Sequence, residues 1–266
     1  MERKKSSVRA QFGRRAGAYA RSESHARDRD LELLLEHLRL RPEDRALDVA
    51  TGTGFTAIAL RSDVHSVVGL DLTHRMLLEA IRLAASAAPS RSAAQGLADT
   101  PGIQWVEGDV ESLPFRDGAF SVVTCRRAPH HFVHLDRGIG EMLRVLQPDG
   151  RIGIVDQISP EEAVGLRLME DLEALRDASH VHALTVNEWR AVFERHEIAL
   201  TFLDVVESAQ AFEGWLDLAD TEIDRRRAIE QALADAPPEA RRQIGYEATP
   251  ERSFLKRWAV LVGRKR

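Results

Sequence analysis

Apolar and polar positions along this chain follow two periods. Leu31, Leu34, Leu35 and Leu38 fall at i, i+3, i+4 and i+7, which predicts a helix packed against a sheet. Short, nearly continuous apolar runs predict strands near 45–50, 66–71, 103–107 and 119–125. Met76, Leu77, Ala80, Ile81 and Ala84 form a helical stripe between the second and third of these. Ile139, Met142, Leu143 and Leu146 form another. Pro148-Asp149-Gly150 ends that helix and feeds a fifth strand, Ile152 to Val155. Val164, Leu168, Leu172 and Leu175 mark a further helix, and Thr185-Val186-Asn187-Glu188 can open the next one with a capping box. A sixth strand is expected near Ile198–Val206 and a seventh near Lys256–Val262. Strands alternating with helices mean a mainly parallel sheet with right-handed crossovers, and ligands then gather at the carboxyl ends of the strands. Residues 86–101 read as a surface loop. Residues 208–250, charged, helical and carrying Pro237-Pro238, read as a lid over a substrate pocket or as a dimerisation element.

The most informative stretch is Ala46-Leu47-Asp48-Val49-Ala50-Thr51-Gly52-Thr53-Gly54, followed by the helix-like Phe55-Thr56-Ala57-Ile58-Ala59-Leu60. It reads as a buried strand, a tight turn and a helix N-terminus. Gly52 and Gly54 let the backbone approach a ligand closely and adopt positive φ. The next apolar run, Val67-Val68-Gly69-Leu70, ends in Asp71, an acid placed to take both hydroxyls of a ribose. Together these features point to an adenosine-containing cofactor. Gly52-x-Gly54-x-x-Ala57 also meets the loose dinucleotide fingerprint, but two features argue against NAD. Asp48 would face a pyrophosphate unfavourably and suits a cofactor with an ammonium or sulfonium group. Asp109, in Gly108-Asp109-Val110 after the third strand, can accept a hydrogen bond from an adenine amino group.

These motifs resemble those of class I S-adenosylmethionine-dependent methyltransferases. Residues 46–54 look like their first motif, and Gly108 to Phe115 followed by Phe120-Ser121-Val122-Val123 is similar to the UbiE-like (Methyltransf_11 type) branch. Cys125-Arg126-Arg127-Ala128-Pro129-His130-His131-Phe132 and Leu175 to Val181 are similar to a subgroup with His-His-Phe after strand four. Two positions depart from the family pattern: Ser121 replaces a common acid, and Thr51 a usual Gly or Cys. The resemblance covers roughly residues 10–205. It implies a Rossmann-like α/β fold: a seven-stranded, mainly parallel sheet of order 3-2-1-4-5-7-6, helices on both faces, and a helical insertion before the last strand. It implies a division into an N-terminal arm (1–30), the α/β core (31–207), the insertion (208–250) and the last strand of the core (251–266). Phe12-x-x-x-Ala16-x-x-Tyr19 is similar to an arm that folds over the cofactor. The expected cofactor-binding set is Tyr19, Asp48, Gly52, Thr53, Gly54, Asp71, Leu72, Asp109, Val110 and Arg126, the last through its backbone carbonyl. S-adenosylmethionine is the expected cofactor and S-adenosylhomocysteine the product.

His130 and His131 are the candidate bases, since a neutral imidazole can remove a phenol or enol proton near neutral pH. Two adjacent histidines on an extended segment cannot both point the same way, so at most one of them is expected to meet substrate. His180 reads as a loop hydrogen-bonding residue. No metal site is expected. Cys125, the single cysteine, excludes an intrachain disulfide framework and a multi-cysteine zinc site. Trp189, Phe193 and Trp258 read as core, and Trp215 could face an apolar substrate. The formal charge of −5 gives no field for nucleic acid. No apolar run is long enough to span a bilayer, and Met1 to Ser7 lacks the apolar region of a secretory signal, so a cytoplasmic enzyme is expected. The expected reaction is methyl transfer to carbon or oxygen of a small phenolic, quinol-like or enolic acceptor. The alternatives are a cyclase, isomerase or decarboxylase on the same cofactor scaffold, or a non-catalytic nucleotide-binding partner subunit.

Overall fold

The apolar runs become a seven-stranded sheet of order β3-β2-β1-β4-β5-β7-β6 in the computed structural model, which describes residues 2–21, 28–87, 102–249 and 251–266. The strands are β1 Arg45–Val49, β2 Ser66–Asp71, β3 Gln104–Glu107, β4 Phe120–Arg126, β5 Leu146–Gln157, β6 Ile198–Ala211 and β7 Ser253–Lys265. The first five pair in parallel, and β7 runs antiparallel to both β5 and β6. The fold is thus the Rossmann-like architecture expected, strand order included.

Successive residues of a strand point to opposite faces, and here both faces are apolar. Leu47, Val123, Cys125, Ile152 and Ile154 pack with Ile139, Met142, Trp189 and Phe193 on one side. Ala46, Val122, Val155 and Val260 pack with Leu34, Leu38, Ala57 and Leu60 on the other. Each large side chain so buried contributes about 1.5–3 kcal/mol. The covering helices are α1 Glu2–Ala20, α2 Arg29–Leu38, α3 Phe55–Leu60, α4 His74–Ser86, α5 Leu135–Val145, α6 Ala163–Arg176 and α7 Val186–Arg195. Helix α7 starts at the expected capping box: Thr185 accepts from the Glu188 amide, and the Glu188 carboxylate accepts from the Thr185 amide.

Three boundaries differ from the sequence reading. Strand β5 begins at Leu146, because that residue pairs with Phe120 ahead of an irregularity in the register, with Asp149 at φ +58°. Strands β6 and β7 continue pairing as far as Ala211 and Ser253, so the inserted helices α8 Phe212–Ala219, α9 Ile223–Asp235 and α10 Pro238–Gln243 sit between longer strands than expected. They share an apolar cluster with α6, built on Leu168, Leu172, Trp215, Ile229 and Phe254. Residues 1 and 22–27 of the expected arm and 88–101 of the expected loop lie outside the described residues. No helix among the described residues is long and apolar enough to cross a membrane.

Candidate functional site

At the carboxyl ends of β1, β2 and β4 the chain opens into a cleft with about 1040 Å3 of empty space, its mouth included. The turn after β1 shapes its floor. Ala50, Gly52 and Gly54 all take positive φ, at +51°, +55° and +85°. A Cβ on Gly52 would meet nothing within 4 Å, so its backbone lies open to a ligand. A Cβ on Gly54 would lie 2.7 Å from the Trp105 ring, so that glycine is required by packing. Ala50 carries the backbone strain of a side chain in the left-handed region.

Asp71, at the tip of β2, is buried on the cleft wall. Its Oδ2 accepts from the Gly52 amide at 2.8 Å and its Oδ1 from the Thr73 amide at 2.8 Å. Each oxygen keeps a second lone pair for a hydroxyl. Burial pushes its pKa up to about 6 against the pull of those amides. Tyr19, Thr53, Leu72, Asp109, Val110 and Arg126 line the same cleft.

Asp48 and Gly54, by contrast, are not on the wall. The Asp48 carboxylate sits behind the turn and accepts from Thr51 Oγ1 at 2.6 Å and Thr124 Oγ1 at 2.7 Å. Burial raises its pKa to about 6 despite these bonds. Thr51, which departs from the family pattern, is therefore the partner of the buried acid. Ser121, the other departure, donates to Asp44 Oδ1 at 2.8 Å at the far end of the sheet. The Arg126 side chain turns away to Asp30 Oδ1 at 2.7 Å.

Helix α1 covers the cleft. Lys5 Nζ reaches Asp109 Oδ2 at 2.6 Å and Glu111 Oε2 at 2.8 Å. Burial opposes the Lys5 charge, but the two carboxylates outweigh it and raise its pKa. Phe12 packs edge-on against His131 with ring centroids 4.9 Å apart. Gln11 Nε2 donates to the Ala219 carbonyl at 2.9 Å, which ties α1 to the inserted helices.

A second cleft, with about 610 Å3 of empty space, lies between the core and the insertion. Phe12, Tyr19, Arg127 and His131 line both clefts, so the two share a wall. The segment Pro129–His131 is a 3-10 turn, not the extended segment expected, and it sets the two imidazoles at different tasks with centroids 4.1 Å apart.

His131 Nδ1 is 3.1 Å from Ser179 Oγ, and that hydroxyl is 2.6 Å from Asp177 Oδ1. Burial raises the Asp177 pKa, but the Ser179 hydroxyl and amide and the Arg176 guanidinium favour the ionised form, in which the carboxylate only accepts. The Ser179 proton therefore goes to Asp177, Ser179 Oγ accepts from His131 Nδ1–H, and Nε2 is left with its lone pair. Burial, with His130 alongside, pushes the His131 pKa down to about 3, so the imidazole is neutral.

His130 lines only the second cleft, and its Nδ1 is 2.6 Å from Asp156 Oδ1. Burial drives both partners to their uncharged forms, His130 down to about 3 and Asp156 up to about 8. The Asp156 acid donates to Nδ1, which leaves His130 Nε2–H a donor.

The sequence reading did not single out Lys5, Asp30, Ser179, Asp177 as a partner of His131, or the buried cations of the second cleft. The acids of the Asp28/Asp30–Arg126/Arg127 cluster carried one signal: Asp28 and Asp30 flank the start of the predicted α2, where acids cap or complement a helix. His180 and His182 share Glu170 Oε2, at 3.2 and 3.1 Å. No group of three or more His, Cys, Asp or Glu among the described residues could hold a metal ion. Trp215 is buried and lines the second cleft.

The cleft suits an adenosine-bearing sulfonium in its donor and acceptor chemistry. Open backbone at Gly52, acceptor capacity on Asp71 and Asp109, and apolar Leu72, Met76 and Phe132 line one continuous space. Residues 47–154 match the family model described as methyltransferase domain. The chain is 32% identical over 230 residues to a protein of Bacillus subtilis named as an uncharacterized methyltransferase, YcgJ, covering 86% of this chain and 87% of that one. The crystal structure of YcgJ matches with a TM-score of 0.80 over 89% of this chain and 98% of that chain, at 31% identity. A putative methyltransferase from Bacillus halodurans matches at 29% identity and a TM-score of 0.78, again over 89% of this chain and 98% of its own. Demethylmenaquinone methyltransferase of Thermus thermophilus is 36% identical over 143 residues, 53% of this chain and 58% of that protein. With the YcgJ match spanning nearly the whole of both chains, this protein belongs to the class I S-adenosylmethionine-dependent methyltransferase family.

Proposed function

We propose that the chain transfers the methyl group of S-adenosylmethionine, bound in the first cleft, to a carbon or oxygen of a small phenolic, quinol-like or enolic acceptor entering from the second, in the cytoplasm. The observation that carries this reading is His131, whose imidazole stands on the wall shared by the two clefts with its Nδ1 engaged and its Nε2 lone pair available. The named acceptor of the Thermus relative, demethylmenaquinone, supports a quinol-like class.

When bound, the cofactor supplies a sulfonium methyl that is both electrophile and leaving-group partner. Asp71 would hold the ribose hydroxyls, and Asp109 with Val110 would take the adenine. Gly52, Thr53, Leu72 and Tyr19 line the cleft that would hold the cofactor, and the Arg126 carbonyl would accept from the methionyl ammonium. Asp48 acts from behind, through Thr51, and Gly54 holds the turn. His131 Nε2 takes the acceptor proton, and Asp177, reached through Ser179, offsets the imidazolium charge as it develops. His130 donates a hydrogen bond from the opposite side. Helices α8 to α10 serve as the lid that keeps water from the reacting atoms.

The test is incubation with methyl-labelled S-adenosylmethionine and a set of phenols, quinols and cyclic diketones. Label in the product, lost in His131→Gln while S-adenosylhomocysteine still binds, is the expected result. A product formed without label would replace this reading with the cyclase, isomerase or decarboxylase class.

A further inference from the structure

The second cleft holds buried cationic donors that the protein itself leaves partly unmatched. Lys256, from β7, is 8% exposed. Its one ion-pair partner among the described residues is Glu173 Oε1, 3.4 Å from Nζ. Arg176, in the last turn of α6, is equally buried. Its Nε donates to the Trp215 carbonyl at 3.0 Å and its Nη1 to Glu173 Oε2 at 2.9 Å. No hydrogen-bond acceptor among the described residues serves its Nη2. Lys256 and Arg176 thus contact the two oxygens of one carboxylate, so their charged heads flank a single small volume, and both line the cleft.

The acids nearby are each engaged by other donors. Glu173 also accepts from Gln157 Nε2 at 2.8 Å. Asp177 Oδ1 accepts from the Ser179 amide and hydroxyl, and Asp28 Oδ2 pairs with Arg127. A buried charge with unmet donors is costly until an acceptor arrives.

We propose that Lys256 and Arg176 together bind an oxyanion on the acceptor, a carboxylate or an equally charged group set apart from the methylated atom, and so select acids as substrates. This rests on the assignment of the second cleft to the acceptor. Burial holds the Lys256 pKa down to about 8, so the ammonium is charged at neutral pH and gains most from an anionic partner. The acid head anchors the acceptor, and His131, on the wall toward the first cleft, handles the proton at the reacting atom.

The test uses the full chain saturated with S-adenosylhomocysteine. Calorimetry compares para-hydroxybenzoate with para-hydroxybenzamide, phenylacetate with phenylacetamide, and phenyl phosphate with phenol. The acids are expected to bind at least about tenfold tighter than their neutral partners, and the carboxylate and phosphate arms show which oxyanion is preferred. Lys256→Met should lose about tenfold in affinity for the acid while the affinity for S-adenosylhomocysteine is unchanged. If Lys256→Met also weakens S-adenosylhomocysteine, the fold has been disturbed. Arg176→Lys, which keeps a charge beside Glu173 and removes the second donor nitrogen, then carries the same comparison. Acids and amides binding alike, or an unchanged acid affinity in the variant that keeps S-adenosylhomocysteine, overturns the proposal. A wild-type chain that fails to bind S-adenosylhomocysteine would instead defeat the cofactor assignment on which the proposal stands.

Discussion

The two clefts share a wall but are built by opposite means. The first is made of consecutive strand–turn segments, and its contacts come from backbone, small residues and two acids at strand tips. The second is made of side chains far apart in the sequence, held by buried ion pairs. Arg127, on the shared wall, meets Asp30 at 2.8 Å across nearly a hundred residues, and Lys256 of β7 reaches Glu173, which already pairs with Arg176 one turn along α6. A cleft of the first kind survives the loss of any one side chain with its shape intact. One of the second kind is vulnerable where buried charges would lose a close shared partner, as Arg126 and Arg127 would on losing Asp30, and tolerant where a second partner remains, as Arg176 does for Glu173.

The largest effect expected from this contrast is at Asp30, whose side chain is fully buried between two guanidinium groups. Asp30→Ala should cost about 3–5 kcal/mol in denaturant unfolding. A loss under about 1 kcal/mol would mean that Asp28 alone suffices and that the network is redundant.

Next comes His131→Gln, which leaves both clefts standing and removes the base. Turnover should fall about hundredfold or more with cofactor affinity intact. Because burial keeps the His131 pKa near 3, turnover at saturating cofactor should stay level as pH falls through 6.5, the ordinary histidine range. An acid limb centred there that disappears in the variant would show His131 to be far less buried than it is here.

The first cleft should respond more gently. Asp71→Ala should weaken S-adenosylhomocysteine by about 1–3 kcal/mol in calorimetry, since the bonds lost are to hydroxyls and the Gly52 and Thr73 amides are left unpaired. Its pH dependence has a definite sign. The ligand favours the ionised carboxylate, and burial raises the free-state pKa to about 6. Affinity should therefore drop as pH falls through about 6 and be level above it. Asp71→Asn should flatten that limb, and a limb unchanged in Asp71→Asn would move it to Asp48, also near 6. The smallest effect is a control: Thr185→Ala removes the α7 cap at a cost of about 1 kcal/mol in stability and should leave both affinities alone.

The same contrast explains what could be read from the residues in order. The strands themselves, the turn after β1 and Asp71 and Asp109 at strand ends are local patterns, whereas the strand order is implied by the family resemblance; each is found where expected. Asp48 also follows the pattern, yet it lies behind the turn, because the Thr51 and Thr124 hydroxyls hold it there, and the second of these comes from the neighbouring strand β4, 76 positions away. His130 and His131 were equivalent in sequence. The 3-10 turn separates them, and their different partners, Asp156 and Ser179, come from β5 and from the loop after α6. Lys256 stood in a predicted strand with no sign of its burial, since its pairing with Glu173 depends on how β7 passes α6.

The central claim is that the first cleft takes a sulfonium cofactor, and calorimetric titration of the purified chain with S-adenosylmethionine, S-adenosylhomocysteine and NADH tests it most directly. Saturable binding of the first two and none of the third is the predicted result. Binding of NADH, or no binding of S-adenosylhomocysteine, would contradict it and remove the donor from the reaction proposed here.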